Sequence, residues 1–257
     1  MAFEIIDFHM HPFIEDKNNF CVYKENMKMD YKTTLSDMED AGISKFCGSV
    51  IARGENLQSF DTIKAYNREA LKLTKLYGDK YVPGFHVHPD FIEESINEIK
   101  FANENNVKII GELVPYMHGW EDYSCREFSE ILDEISKYNM IVSIHTLKHD
   151  QMEKMASEHK NIRFVFAHPG ERESVEKHIN IMKKHENVYL DLSGTGLFRY
   201  GVVRHLANSV GADRILFGTD YPIGNLAMYV NGVLGEKLTD AEKELIFSQN
   251  AKRLLFE

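Results

Sequence analysis

Two histidines one residue apart, His9 and His11, close an apolar run that begins at Phe3. Alternate side chains of a strand share a face, so both imidazoles can approach one ion. The pair becomes a site only if further ligands converge on it from elsewhere in the chain. Three later segments have the required form, a short apolar run followed by a potential ligand: Ile141 to His145, Phe164 to His168 and Ile215 to Asp220.

The elements that must position these residues alternate along the chain. After the first strand, a polar insertion over 12–30 leads to a helix over 31–41 stopped by Gly42, and then to the apolar strand 45–51. Ile63, Tyr66, Ala70, Leu73 and Leu76 fall at helical spacing before Gly78. Further strands are expected at 81–87, 107–111, 140–144, 162–167, 188–192 and 214–217, with helical patterns between them. Asp90 with Glu93, Ser124 with Glu127 and Thr239 with Glu242 have capping-box spacing. Eight strand–helix units whose strands read as continuous apolar runs predict an α/β fold, a (β/α)8 TIM barrel. We expect one domain over 1–257, with loop insertions at 12–30, 113–123 and 221–237 that set specificity. A doubly wound open sheet is the rival, but Gly194-Thr195-Gly196-Leu197-Phe198-Arg199 has arginine where its phosphate-binding fingerprint needs a third glycine.

Forty acidic against thirty basic residues give a net charge of −10, which disfavours nucleic acid or an anionic membrane as partner. Cys21, Cys47 and Cys125 are too scattered for a disulfide framework or a thiolate metal site. No apolar run approaches the ~20 residues of a membrane span, and the N-terminus enters a strand directly. These readings predict a cytoplasmic protein acting on a small molecule, and the apolar stretch 226–234 suggests either a lid or the contact of a homo-oligomer.

In such a barrel the C-terminal ends of all strands meet at one mouth, where barrel active sites lie. His9, His11, His145, His168 and Asp220 would therefore share a cavity. The chain here resembles the metal-dependent amidohydrolase superfamily, and more closely its decarboxylase-like branch. The matching pieces are Asp7-Phe8-His9-Met10-His11, His145, Ala167-His168-Pro169-Gly170, Asp191-Leu192-Ser193-Gly194, Phe217-Gly218-Thr219-Asp220-Tyr221-Pro222 and Asn250-Ala251-Lys252-Arg253-Leu254-Leu255.

The resemblance implies that His9, His11, His145 and Asp220 ligate a divalent ion, with His168 beside it as a second-metal ligand or a group that polarises substrate. Such a donor set suits zinc, and also manganese or iron, with a position left for water. Asp220 would accept the proton of a water activated by that ion. Glu112, where other branches carry a bridging lysine or glutamate, could bridge two ions, bind substrate or support a metal histidine, so the count of one or two ions stays open. Arg53 is a candidate carboxylate clamp, and Tyr116, His118 and Trp120 lie on the loop after strand four. His149, His159, His178, His185 and His205 fall in helical segments and are expected at the surface.

The function expected is a metal-dependent hydrolase of a small ester, lactone or amide. A non-oxidative decarboxylase of a small carboxylic acid is the alternative on the same site, and a non-catalytic metal-binding barrel is the alternative of another class. A closed structural metal site needs only four ligands and no open position, which argues against the last.

Overall fold

The computed structural model describes residues 3–15, 29–51 and 59–257. Arg53 and Cys21 lie outside the described residues, as does most of the first loop insertion. Eight parallel strands form one sheet in sequence order: β1 Ile6–Asp7, β2 Lys45–Ser49, β3 Tyr81–Phe85, β4 Ile109–Leu113, β5 Ile141–His145, β6 Arg163–Ala167, β7 Val188–Asp191 and β8 Ile215–Leu216. Cys47 stands opposite Val82, Ile110 opposite Val142 and Val165 opposite Tyr189, and the register shifts between Ile110 and Leu113 of β4, the stretch that carries Glu112. The ring closes beyond the short end strands, where Phe8 N donates to Phe217 O at 2.8 Å, Asp220 N to His9 O at 2.8 Å and His11 N to Tyr221 O at 2.8 Å. The molecule is a (β/α)8 barrel, as its sequence predicts.

The helices α1 Tyr31–Ala41, α2 Phe60–Tyr77, α3 Ile92–Glu104, the single turn α4 Pro115–His118, α5 Arg126–Ile135, α6 His149–Glu158, α7 Arg172–Lys184 and α8 Val202–Val210 lie between strands; α9 Leu226–Leu234, α10 Asp240–Glu244 and α11 Asn250–Phe256 follow β8. They lay their apolar stripes on the sheet, for example Ala70, Leu73 and Tyr77 of α2 and Phe128, Ile131 and Ile135 of α5. At one end of the barrel Ala251, Leu254 and Leu255 of α11 pack on Cys47, Ile109, Ile141, Val165 and Leu216. The opposite end is thereby left as the mouth.

Of the three capping patterns only Thr239 with Glu242 forms both of its reciprocal bonds. Helix α3 begins at Ile92, too late for Asp90 to cap it, and the Asp90 N–H instead donates to His88 Nδ1 at 3.1 Å. Helix α5 begins at Arg126, so Ser124 donates to Asp122 rather than closing a box with Glu127. His178 is fully buried, not at the surface; its Nε2 meets Thr146 Oγ1 at 3.1 Å.

Candidate metal centre

The strand ends bring His9, His11, Glu112, His145, His168, Asp191 and Asp220 into one cluster. His9 and His11 leave β1, Glu112 sits near the end of β4, His145 ends β5, His168 follows β6, Asp191 ends β7 and Asp220 follows β8. His168 and Asp220 both have left-handed backbones, with φ of 69° and 62°. Non-glycine residues uncommonly adopt that conformation; the other two here, Asn106 and Asn139, are asparagines, which take it readily, whereas a histidine and an aspartate hold it at the mouth.

His9 Nε2 and His11 Nε2 are shared by two trios of donor atoms, one completed by Glu112 and one by Asp220. His9 Nε2 lies 3.3 Å from His11 Nε2, 3.2 Å from Glu112 Oε2 and 3.7 Å from Asp220 Oδ1. His11 Nε2 lies 3.5 Å from Glu112 Oε2 and 3.2 Å from Asp220 Oδ1. Ligands at ~2.0–2.1 Å from one ion stand roughly 3.3 Å apart, and the separations within each trio are close to that, so each fits a divalent ion. A second group shares Glu112 through its other oxygen: Oε1 lies 3.0 Å from His145 Nδ1 and 3.4 Å from His168 Nε2, which are 3.2 Å from each other. His145 thus stands with Glu112 and His168, while His9, His11 and Asp220 gather at the other carboxylate oxygen.

Neighbouring hydrogen bonds set which nitrogen each ring offers. His9 Nδ1–H donates to Asp191 Oδ2 at 2.9 Å and His11 Nδ1–H to the Ser49 carbonyl at 3.2 Å, so both rings present Nε2 lone pairs to the same space. Ser193 Oγ–H donates to Asp191 Oδ1, which leaves its oxygen to accept from His168 Nδ1–H at 2.9 Å. His168 therefore also turns its Nε2 inward. Lone pairs of two imidazoles facing one point repel unless a proton or cation stands between them.

The electrostatics agree. Burial opposes charge on His9 and His11, yet the carboxylates beside them win: Glu112 and Asp191 hold His9 well above the usual imidazole range, and Asp220 and Glu112 raise His11 to about 9. Burial likewise opposes ionisation of Glu112, but His9, His11, His145 and His168 hold it well below the usual carboxylate range. The cluster demands positive charge.

Asp7 precedes the histidine pair and ligates nothing. Its Oδ1 accepts from His9 N at 3.0 Å and Thr219 N at 3.1 Å, and its Oδ2 from Thr219 Oγ1 at 2.6 Å, which ties the end of β1 to the turn that carries Asp220. Burial pushes its carboxyl up to about 7 against those bonds.

Of the remaining sequence candidates, Tyr116 is exposed with its ring 5.3 Å from His145, at the rim. His118 and Trp120 are buried and pack the loop down, His118 against His86 with ring centres 5.0 Å apart and Trp120 against Phe128 at 4.9 Å. Asp191 braces His9 from behind, and its sequence signal is that Val188 to Asp191 has the same form, an apolar run ending in a potential ligand, as the other strand ends.

Fold and site together define a (β/α)8 barrel with a histidine–carboxylate centre fit for divalent metal at its mouth. The chain belongs to the amidohydrolase family, whose profile matches residues 6–256, and enzymes of that superfamily are its kin. No curated relative matches it. Among solved structures it is similar to an uncharacterised TIM-barrel protein of Bordetella bronchiseptica, with 19% identity, 98% of each chain covered and a TM-score of 0.77. It is also similar to 2,6-dihydroxybenzoate decarboxylase from Rhizobium, at 15% identity, 98% of each chain and 0.77. A third is 5-carboxyvanillate decarboxylase of Novosphingobium aromaticivorans with bound manganese, at 14% identity, 99% of this chain, 97% of that chain and 0.77.

Proposed function

We propose that the protein is a metal-dependent, non-oxidative decarboxylase of a small carboxylic acid. The observation that carries this reading is the end-to-end match with decarboxylase barrels, one of them holding manganese, combined with a donor set that suits manganese, zinc or iron alike. His9, His11, Asp220 and one oxygen of Glu112 would hold the ion. The bound ion would fix the substrate carboxylate and a neighbouring oxygen and stabilise the negative charge that grows as the carbon–carbon bond breaks.

The chain's own residues do the rest. Among the three carboxylates of the cluster, the Asp220 side chain is 11% exposed against 4% for Glu112 and 0% for Asp191, so Asp220 is the acid that the mouth reaches. In the reaction the carboxylate leaves as carbon dioxide, its bonding pair stays on the substrate carbon, and Asp220 delivers the proton that carbon takes. Water at the mouth then reprotonates Asp220. Tyr116, at the rim beside His145, offers an aromatic face to a planar substrate.

A second reading, hydrolysis of an ester, lactone or amide, is favoured by Glu112. Its two oxygens face two separate groups of histidines, the arrangement by which a carboxylate bridges a pair of ions around an attacking water. One experiment separates the two. Protein loaded with manganese or zinc is given a panel of hydroxybenzoates and other carboxylic acids, and a panel of esters, lactones and amides in ¹⁸O-water. Carbon dioxide release, lost in Asp220→Asn while the fold and thermal melt are kept, is expected. Label entering an acid product with no release from any carboxylate would overturn decarboxylation in favour of hydrolysis.

A further inference from the structure

A cavity of about 420 Å³ lies outside the metal cluster, between the loop after β7 and helix α9. Its walls include Leu197, Phe198, Tyr200, Met228 and Tyr229, and Glu236 also lines it. Phe198, Tyr200 and Met228 are 67%, 71% and 58% exposed, unusual for large apolar side chains, whereas Glu236 is 5% exposed. Glu236 Oε1 accepts the Gly201 N–H at 2.6 Å, and Oε2 has no hydrogen-bond partner. No ion pair of the described residues includes Glu236. The two arginines of the neighbouring segment are not paired with Glu236: Arg199 meets Glu171 and lies 5.3 Å over the Phe198 ring, and Arg204 lies 5.7 Å over the Tyr200 ring. A buried carboxylate oxygen without a donor is unfavourable, so it is a strong acceptor for any N–H brought to it.

We propose that this cavity binds a small primary ammonium compound with an aromatic or branched apolar body. The volume suits a ligand of that size. The apolar walls take the body, and Glu236 receives a charge-assisted hydrogen bond from the ammonium N–H. The terminal torsion of a glutamate is soft, so Oε2 turns to a donor without movement of the chain. A carboxylic acid would meet Glu236 as a like charge, which separates this ligand class from the substrate proposed for the mouth.

The cavity and the mouth share one turn. Gly194 lines the cavity, accepts the Tyr229 hydroxyl at its carbonyl, and packs its Cα side against the His168 ring. The two sites are neighbours with separate chemistry.

The test is binding, measured by calorimetry on the full chain without substrate, so it does not depend on which reaction the mouth performs. The probe is phenethylamine hydrochloride. The comparisons are 3-phenylpropionate, with the same body and opposite charge, and phenethyltrimethylammonium, with the charge and no N–H. Saturable binding of one amine per chain is expected, weakened about tenfold or more in Glu236→Gln and in the trimethylated probe, and several-fold in Tyr200→Ala. Glutamine keeps the acceptor for Gly201; if Glu236→Gln nonetheless loses the cooperative melt, the exposed Tyr200→Ala variant decides. Absence of saturation up to about 10 mM, equal binding of the carboxylate, or binding indifferent to these substitutions, as for an amine held at the metal cluster, would overturn the proposal.

Discussion

Asp191→Asn isolates what orients the centre, because it changes one fully buried group that touches two of the histidines. Oδ1 accepts from Ser193 N at 2.9 Å and from the Ser193 hydroxyl, while Oδ2 accepts from His9 Nδ1–H. Asparagine can keep its carbonyl toward Ser193 only by turning its amide N–H groups toward His9 Nδ1–H, donor against donor. His9 must then shift its proton to Nε2, the nitrogen that faces the other donor atoms, or the bond breaks. A charged hydrogen bond of this kind contributes roughly 1.5–3 kcal/mol, which converts to roughly 10–100-fold in metal affinity. That range matches what loss of a partner behind a metal-bound histidine brings elsewhere. Manganese or zinc affinity, read by competition with a chelator of known strength, is expected to fall by that factor. Affinity within about threefold of the parent would refute the argument that Asp191 sets the nitrogen His9 offers.

Three further outcomes follow from the geometry. Glu112→Gln removes the one charge that both groups of histidines share, so bound metal per chain should fall by at least half in elemental analysis; unchanged stoichiometry would make Glu112 a bystander. Gly194 has φ of 62°, and a Cβ there would strike the His168 ring, so Gly194→Ala should displace His168 and disturb its histidine NMR signals while those of His11 stay in place. Burial lowers His178 to about 3, so the folded state excludes a proton that the unfolded chain takes up below about 6.5; stability is full above that pH and falls as pH drops toward 3. Between pH 7.5 and 4.5 this single group should remove about 2–3 kcal/mol, by the ~1.36 kcal/mol per unit of linkage, and His178→Gln should flatten that part of the denaturation profile. An identical acid slope in the variant would assign the loss to other groups.

The barrel was legible because its strands are buried on both faces and read as apolar runs, each closed by a residue that an apolar strand has no packing reason to carry. The same logic found His9, His11, His145, His168 and Asp220. It did not show how they divide, because that depends on the two oxygens of Glu112 pointing to different neighbours, a matter of side-chain direction at one residue. Asp191 went without a role for a related reason: an aspartate ending a strand looks the same in sequence whether it faces the centre or braces a histidine from behind. His178 shows the limit of helical periodicity, which places a residue on a face but does not say that Thr146 waits there. Asp90 and Ser124 have capping spacing, yet the caps fall one residue later, at Phe91 and Cys125.

The bonds from Asp7 to Thr219 join residues 212 positions apart, and they give the centre a history as well as a place. At ~5–20 residues per second a ribosome needs roughly 10–40 s to make the intervening chain. For that interval the first two histidines are synthesised and have no partner across the seam. Loop closure over such a separation is entropically slow compared with the local strand–helix pairings that precede it. The centre is therefore a late product of maturation, and uptake of metal by nascent chains would report the moment at which the two ends of the protein find each other.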